Sequence, residues 1–142
     1  MIALDTNVLV RYLVEDDAKQ GAAAAALIDR VIADDDTLFV SDVVVCETVW
    51  VMSVSYRVRR AEIARVLRNL FRARHLAFNA TDQLRRALDA YEAGKGDFAD
   101  YLIREHARAA DCEQVATFDT VLLEERSESA LSWTLPTRIL HV

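Results

Sequence analysis

An α/β fold with a mostly parallel sheet flanked by helices is the class that this sequence predicts, on three observations. Apolar runs of strand length stand at residues 2–4, 38–40 and 115–117. Longer stretches with helical periodicity separate them, and strands alternating with helices favour a parallel sheet covered on both faces. Three glycines and a single proline in 142 residues mark no linker, so 1–142 is expected to form one domain, a length that can fill one core.

The first strand, 2–4, leads into a helical turn over 8–13. A longer helix over 19–33 follows, in which the alanines at 22–26 favour helix and Leu27, Ile28, Val31 and Ile32 share a face. Leu38, Phe39 and Val40 form the second strand, after which Ser41 or Asp42 caps a helix running to about residue 54. Ile63, Val66, Leu67, Leu70 and Phe71 then recur at helical spacing while Arg65, Arg68 and Arg72 project elsewhere, an amphipathic helix with a basic side. Thr81 or Asp82 caps a helix reaching Tyr91, and Gly94-Lys95-Gly96 breaks it before another begins near Asp97. Residues 115–117 supply the third strand and 135–140 a final extended segment.

No apolar run approaches the ~20 residues of a membrane span. The first run has no basic region before it and is broken by Asp5 and Asn7, so it does not read as a signal peptide. A soluble, cytoplasmic protein without a membrane partner is expected. Cys46 and Cys112 lack CxxC spacing and are read as reduced thiols, small residues of the core. The net charge of −6 argues against a nucleic-acid partner, but it is unevenly spread. Between Arg57 and Arg74 stand seven arginines and one acid, Glu62, a segment read either as a solvated helix face or as a phosphate-binding surface.

The acids are the informative feature. In "IALDTNVLV" a carboxylate and two polar neighbours interrupt an apolar run, and burying an unpaired charge is costly without a partner or a metal. Asp5 follows the first strand and Asp119 the third, where ligands of parallel sheets bind beyond the carboxyl ends of strands. Glu47 is the only charged residue between Asp42 and Arg57, so it is expected either at a half-exposed edge or held by something positive. Asp97 and Asp100 share one face of a helix start, where like charges raise a pKa or demand a cation between them. Asp97 alone reads more readily as a helix cap. Together the five acids are hard oxygen ligands, while His75, His106 and His141 show no zinc spacing, so Mg²⁺ or Mn²⁺ is the fitting metal. Such a cluster suits hydrolysis of a phosphodiester, with Thr6, Asn7 and Thr117 as donors or orienters behind the ligands.

These motifs resemble the PIN-domain ribonucleases, and within them the VapC-type toxins of toxin-antitoxin pairs. "LDTNVLVRYL" resembles the family's opening signature, with a ligand at Asp5 and a supporting Asn7. The acid of "VVVCETVWVM" resembles the second family acid, Glu47. "DFADYLIREHA" resembles the third block, where Asp100 is the common acid and Asp97 an additional one, and "TFDTVL" the fourth, with Asp119. The resemblance implies a PIN-like α/β sandwich with a central mostly parallel sheet. It further implies a homodimer, Mg²⁺- or Mn²⁺-dependent endoribonuclease activity, and neutralisation by a cognate antitoxin that reaches into the acidic pocket with a basic residue. Val10, Leu13 and Leu27 are read by preference as ordinary core, the alternative being a groove that receives the antitoxin or the dimer partner, and residues 124–132 match no motif. A PIN-like module that binds RNA or protein without cutting is the alternative. A phosphotransfer hydrolase with Asp5 as nucleophile fits poorly, since Lys19 and Lys95 are the only lysines.

Overall fold

The structure is a computed structural model that describes residues 1–122, 125 and 138–141. The chain divides into two compact units, Met1–Thr81 and Asp82–Val142.

In the first unit β1 (Ile2–Ala3), β2 (Leu38–Val40) and β3 (Leu76–Phe78) form a parallel sheet in the order β1-β2-β3. Ile2 aligns with Leu38, and Leu38 in turn with Leu76. The connections supply α1 (Thr6–Leu13), α2 (Ala18–Ala33), α3 (Asp42–Trp50) and α4 (Arg60–Arg72). α1 packs on α2 and α3, and α4 on β3. Leu38 and Val40 are fully buried, as are Ile63 and Ala64 of α4. The apolar stripe read from the sequence is therefore the face that α4 turns inward, and Phe71 meets Phe78 edge-to-face at 5.1 Å.

The helix starts follow capping chemistry. Asp17 accepts from Gln20 N at 2.8 Å to open α2, and Ser41 accepts from Val44 N at 3.4 Å to open α3. Three features depart from the sequence expectation. β3 is absent from that expectation, because it follows α4 without a glycine or proline to mark the change. The helix begun at Asp42 does not run on as one α-helix but passes into a π-helical segment, Val51–Ser55. That wider turn ends at Tyr56, whose hydroxyl reaches Asp16 Oδ2 at 2.5 Å beside Arg11. α1 begins at Thr6, two residues earlier than expected. Val10 is core, whereas Leu13 and Leu27 are only half-buried. Leu13 lines an apolar cavity of about 440 Å³ bordered by α1, α2 and α4.

The second unit carries α5 (Thr81–Ala93), α6 (Phe98–Ala109) and a two-stranded parallel ladder, β4 (Gln114–Thr117) and β5 (Arg138–His141). The expected final strand is thus present over 138–141, and its expected beginning, 135–137, lies outside the described residues. Thr81, expected as a cap, is the first helical residue of α5. Tyr91 and Phe98 meet edge-to-face at 5.9 Å around the turn between α5 and α6. Gly94 is required there, because a Cβ would run into the Tyr101 hydroxyl and stand 2.7 Å from Glu125 Oε1. The same hydroxyl accepts from Gly96 N at 2.9 Å and donates to Glu125 at 2.7 Å, which locks the turn before Asp97. Glu105 is buried and answered by Arg86 Nε at 2.8 Å. Cys112 is exposed, which corrects its reading as a core residue, since it lies just past the end of α6 and not on its apolar face. Cys46 is half-buried, and burial, with the negative Asp42 nearby, pushes its thiol up to about 11.

Candidate metal centre

The polar interruption of the first strand resolves into three roles. Asp5 stands in extended conformation just ahead of α1, exposed, and its Oδ1 accepts from Thr6 N at 2.8 Å. A carboxylate at a helix N-terminus is favoured by the unpaired N–H groups there. Thr6 is the buried one of the three, and its hydroxyl donates to Glu47 Oε2 at 2.5 Å, linking α1 to α3. Asn7 is exposed on the first turn of α1. Glu47 is exposed on α3. Of the two settings expected for it, the edge is the one observed, and the group that holds it is a hydroxyl in place of a cation.

The second unit gathers the other three acids. Asp97 occupies the N-cap position of α6, and its backbone carbonyl accepts from Asp100 N at 3.1 Å. Its side chain makes no capping hydrogen bond. The cap reading therefore holds for the position and fails for the carboxylate, which is left available to another partner. Asp100, one turn on, is half-buried, and its carboxyl is raised above the ordinary 3.8. Burial is the largest cause, the negative charges of Asp119 and then Asp97 add to it, and a backbone hydrogen bond opposes it. Asp119 lies in the turn beyond β4. Its N–H donates to Thr117 Oγ1 at 3.0 Å, and its Oδ1 accepts from Val121 N at 2.8 Å, so both backbone and side chain are fixed.

The residues thus fall in two sets, Asp5, Thr6, Asn7 and Glu47 in the first unit and Asp97, Asp100, Thr117 and Asp119 in the second. Among the described residues, neither unit by itself gathers three His, Cys, Asp or Glu side chains into a metal-holding group. The basic residues belong to α4. Arg65 is engaged by Glu62 through Nε at 3.0 Å and through a second, shorter hydrogen bond, Arg68 is half-buried and Arg72 is exposed. Tyr101, which orders the turn before Asp97, belongs to none of the sequence's candidate site residues. The signal for it is the Gly94-Lys95-Gly96 break, which needs something packed closely against it.

The model of the PIN domain matches residues 2–126, most of the chain and all five acids. The chain belongs to the PIN domain family. PIN domains are generally nucleases that use divalent metal ions, and the family points to RNA as the bound substrate. No curated protein matches the chain. The candidate ligands of this PIN domain are all carboxylates, a donor set that fits a hard divalent cation. Asp100, raised by burial first and then by the negative charges of Asp119 and Asp97, is in the condition that a cation relieves. Among the described residues no helix is long and apolar enough to cross a membrane.

Proposed function

We propose that this PIN domain is a Mg²⁺- or Mn²⁺-dependent endoribonuclease of the cytoplasm, acting as the toxin of a toxin-antitoxin pair and as a homodimer. The observation that supports it most is the half-buried Asp100, one turn from Asp97, whose carboxyl is raised by burial and then by the negative charges of Asp119 and Asp97, with Asp119 held by turn hydrogen bonds. Asp5, Glu47, Asp97, Asp100 and Asp119 are the proposed ligands. A bound divalent ion supplies charge neutralisation at the scissile phosphate and activation of the attacking water.

The chain's own groups do the positioning. The Thr6 hydroxyl fixes one oxygen of Glu47, and the Thr6 N–H holds Asp5 Oδ1, so each carboxylate keeps its second oxygen for the ion. Asp119 is held in the same manner through Oδ1. Asn7 and Thr117 orient substrate or ligand, and the arginines of α4, Arg65, Arg68 and Arg72, bind RNA phosphates. The cognate antitoxin would seat an apolar segment in the cavity beside Leu13, where Tyr12 and Ile32 are exposed, and extend a basic residue toward the acids.

Cleavage of total RNA by the purified protein with Mg²⁺, with Mn²⁺ and with EDTA, beside Asp5→Asn, tests the reading. Discrete fragments that require metal and vanish in the variant support it. Metal-independent cleavage, or full activity of Asp5→Asn, overturns it.

A further inference from the structure

Asp5 caps the start of α1 and Glu47 stands on α3, so the placement of one helix against the other sets the spacing of these two carboxylates. The two helices pack together and are tied at two points. The first tie is the Thr6 hydroxyl on Glu47. The second lies toward the far end of α1, where Arg11 Nη1 donates to both oxygens of Asp16, at 2.7 and 2.8 Å, and to Tyr56 Oη at 3.1 Å. Tyr56 in turn donates to Asp16 Oδ2 at 2.5 Å, and Arg11 Nε donates to Gln20 Oε1 of α2 at 2.7 Å. The Tyr56 hydroxyl and then Arg11 hold the Asp16 carboxyl below its ordinary 3.8, which makes it the charged acceptor on which the network closes. An ion pair this exposed adds little to stability by itself, so what the network supplies is geometry.

The backbone departs from regular helix to build this second tie. An α-helix turns about 100° per residue, and the π-turn Val51–Ser55, closed by Tyr56 N to Val51 O at 3.2 Å, takes up one residue more than an α-turn. Tyr56 is therefore swung by roughly that angle from where a continued α-helix would point it. Arg57 follows with a φ of 53°, in the left-handed region that disfavours a side chain. Two unfavourable backbone features thus flank the one residue of this segment that reaches α1, and such features persist where the surroundings fix them.

We infer that the network of Arg11, Asp16 and Tyr56 is a positioning device for the metal centre, fixing α1 against α3 so that Asp5 and Glu47 present their remaining oxygens at a constant spacing. The inference rests on the reading of these two acids as ligands given above. One tie alone leaves α1 able to pivot about the Thr6 to Glu47 bond, and a pivot there turns Asp5, the next residue, relative to Glu47. Arg11 lies five residues beyond Thr6, roughly 7.5 Å along the helix, and its tie removes that freedom. Arg11, Asp16 and Tyr56 are positioning residues: they act through the two helices and take no part in bond breaking.

The test uses the purified full chain and reads Mn²⁺ binding directly, from the loss of the free-ion EPR signal, with steady-state RNA cleavage over a series of Mn²⁺ concentrations as a second readout. Tyr56→Phe keeps the ring and removes the hydroxyl. It is expected to weaken Mn²⁺ binding about tenfold and to lower kcat at fixed Mn²⁺, with KM for RNA within about twofold and kcat recovering as Mn²⁺ is raised. Asp16→Asn is expected to do the same, and the double variant to be no worse than the weaker-binding single one, because both remove one unit. Ile63→Val, at a fully buried position of α4 outside the network, is expected to lower the Tm and leave Mn²⁺ binding unchanged. A lower Tm with unchanged Mn²⁺ affinity and kcat in both Tyr56→Phe and Asp16→Asn overturns the inference and leaves the network a structural contact alone. Ile63→Val weakening Mn²⁺ binding as much as Tyr56→Phe overturns it too, since general loosening would then suffice. A wild-type protein that binds Mn²⁺, loses it in Asp5→Asn and never cleaves RNA overturns the nuclease reading, while the response of binding to Tyr56→Phe still decides the positioning role. Mn²⁺ binding unaffected by Asp5→Asn, or absent from the wild type, overturns the ligand reading and this inference with it. Circular dichroism of each variant establishes that it is folded, and Asp16→Asn decides the matter if Tyr56→Phe is not.

Discussion

Asp100 and Thr48 are single residues whose surroundings work against them. A carboxyl raised in the folded state binds its proton more tightly there than in the unfolded chain. Its contribution to stability is therefore present below the ordinary 3.8 and lost as pH rises through the raised folded value, so at neutral pH the ionised Asp100 is a burden. Asp100→Asn is expected to raise the Tm at pH 7, with the gain shrinking as the pH falls through the raised folded value and gone below 3.8; scanning fluorimetry across pH checks this. A gain independent of pH would mean that charge is not the cause. Thr48 is fully buried on α3, and its hydroxyl has no hydrogen-bond partner among the described residues. Thr48→Val keeps the shape and removes the unsatisfied group, so urea denaturation should show a gain of about 1 kcal/mol. The acids themselves are legible from the sequence, because a charge in an apolar run or a like-charge pair one turn apart needs an explanation. The Thr6 to Glu47 bond is not, since 41 residues separate its ends.

At the scale of elements, α4 shows how a helix divides its labour. Its apolar stripe is buried against the sheet and its arginines line the remaining surface, but these arginines are not equivalent. Arg65 is already answered by Glu62, and the ion pair raises the guanidinium's affinity for its proton and lowers the Glu62 carboxyl. Arg72→Glu is therefore expected to weaken RNA binding more than Arg65→Glu, similarly for different RNA sequences. It should also flatten the dependence of log K on log salt by about 0.7 for each phosphate that is no longer neutralised. Filter binding over a salt series measures both, and equal effects of the two variants would remove Glu62 from the account. The period of α4 is readable because the helix is long enough for a full stripe. β3, three residues long, and the π-helical turn after α3 are not, because neither has a local composition that marks it.

For the whole molecule, the −6 net charge and the proposal that the five acids hold a divalent ion together predict that the ion stabilises the fold. Anything that binds only the folded state raises its stability by mass action. Mg²⁺ or Mn²⁺ is expected to raise the Tm in a concentration-dependent way, with EDTA reversing the shift and Asp5→Asn or Asp100→Asn reducing it. A shift unchanged in both variants would place the ion elsewhere.

The sequence by itself determined the α/β class, the parallel sheet and most helix positions, and it singled out the acids proposed as ligands, because each follows from short-range rules: periodicity, caps, and the cost of a misplaced charge. Only the tertiary structure decided what each acid does with its oxygens. The carboxylate of Asp97 stands at a helix start without capping it, Glu47 answers a hydroxyl, and Asp100 is repelled by Asp119 across 19 residues of chain. The reason is physical: a hydrogen bond or a Coulomb interaction depends on distance in space, and folding brings together groups whose separation along the chain says nothing of it.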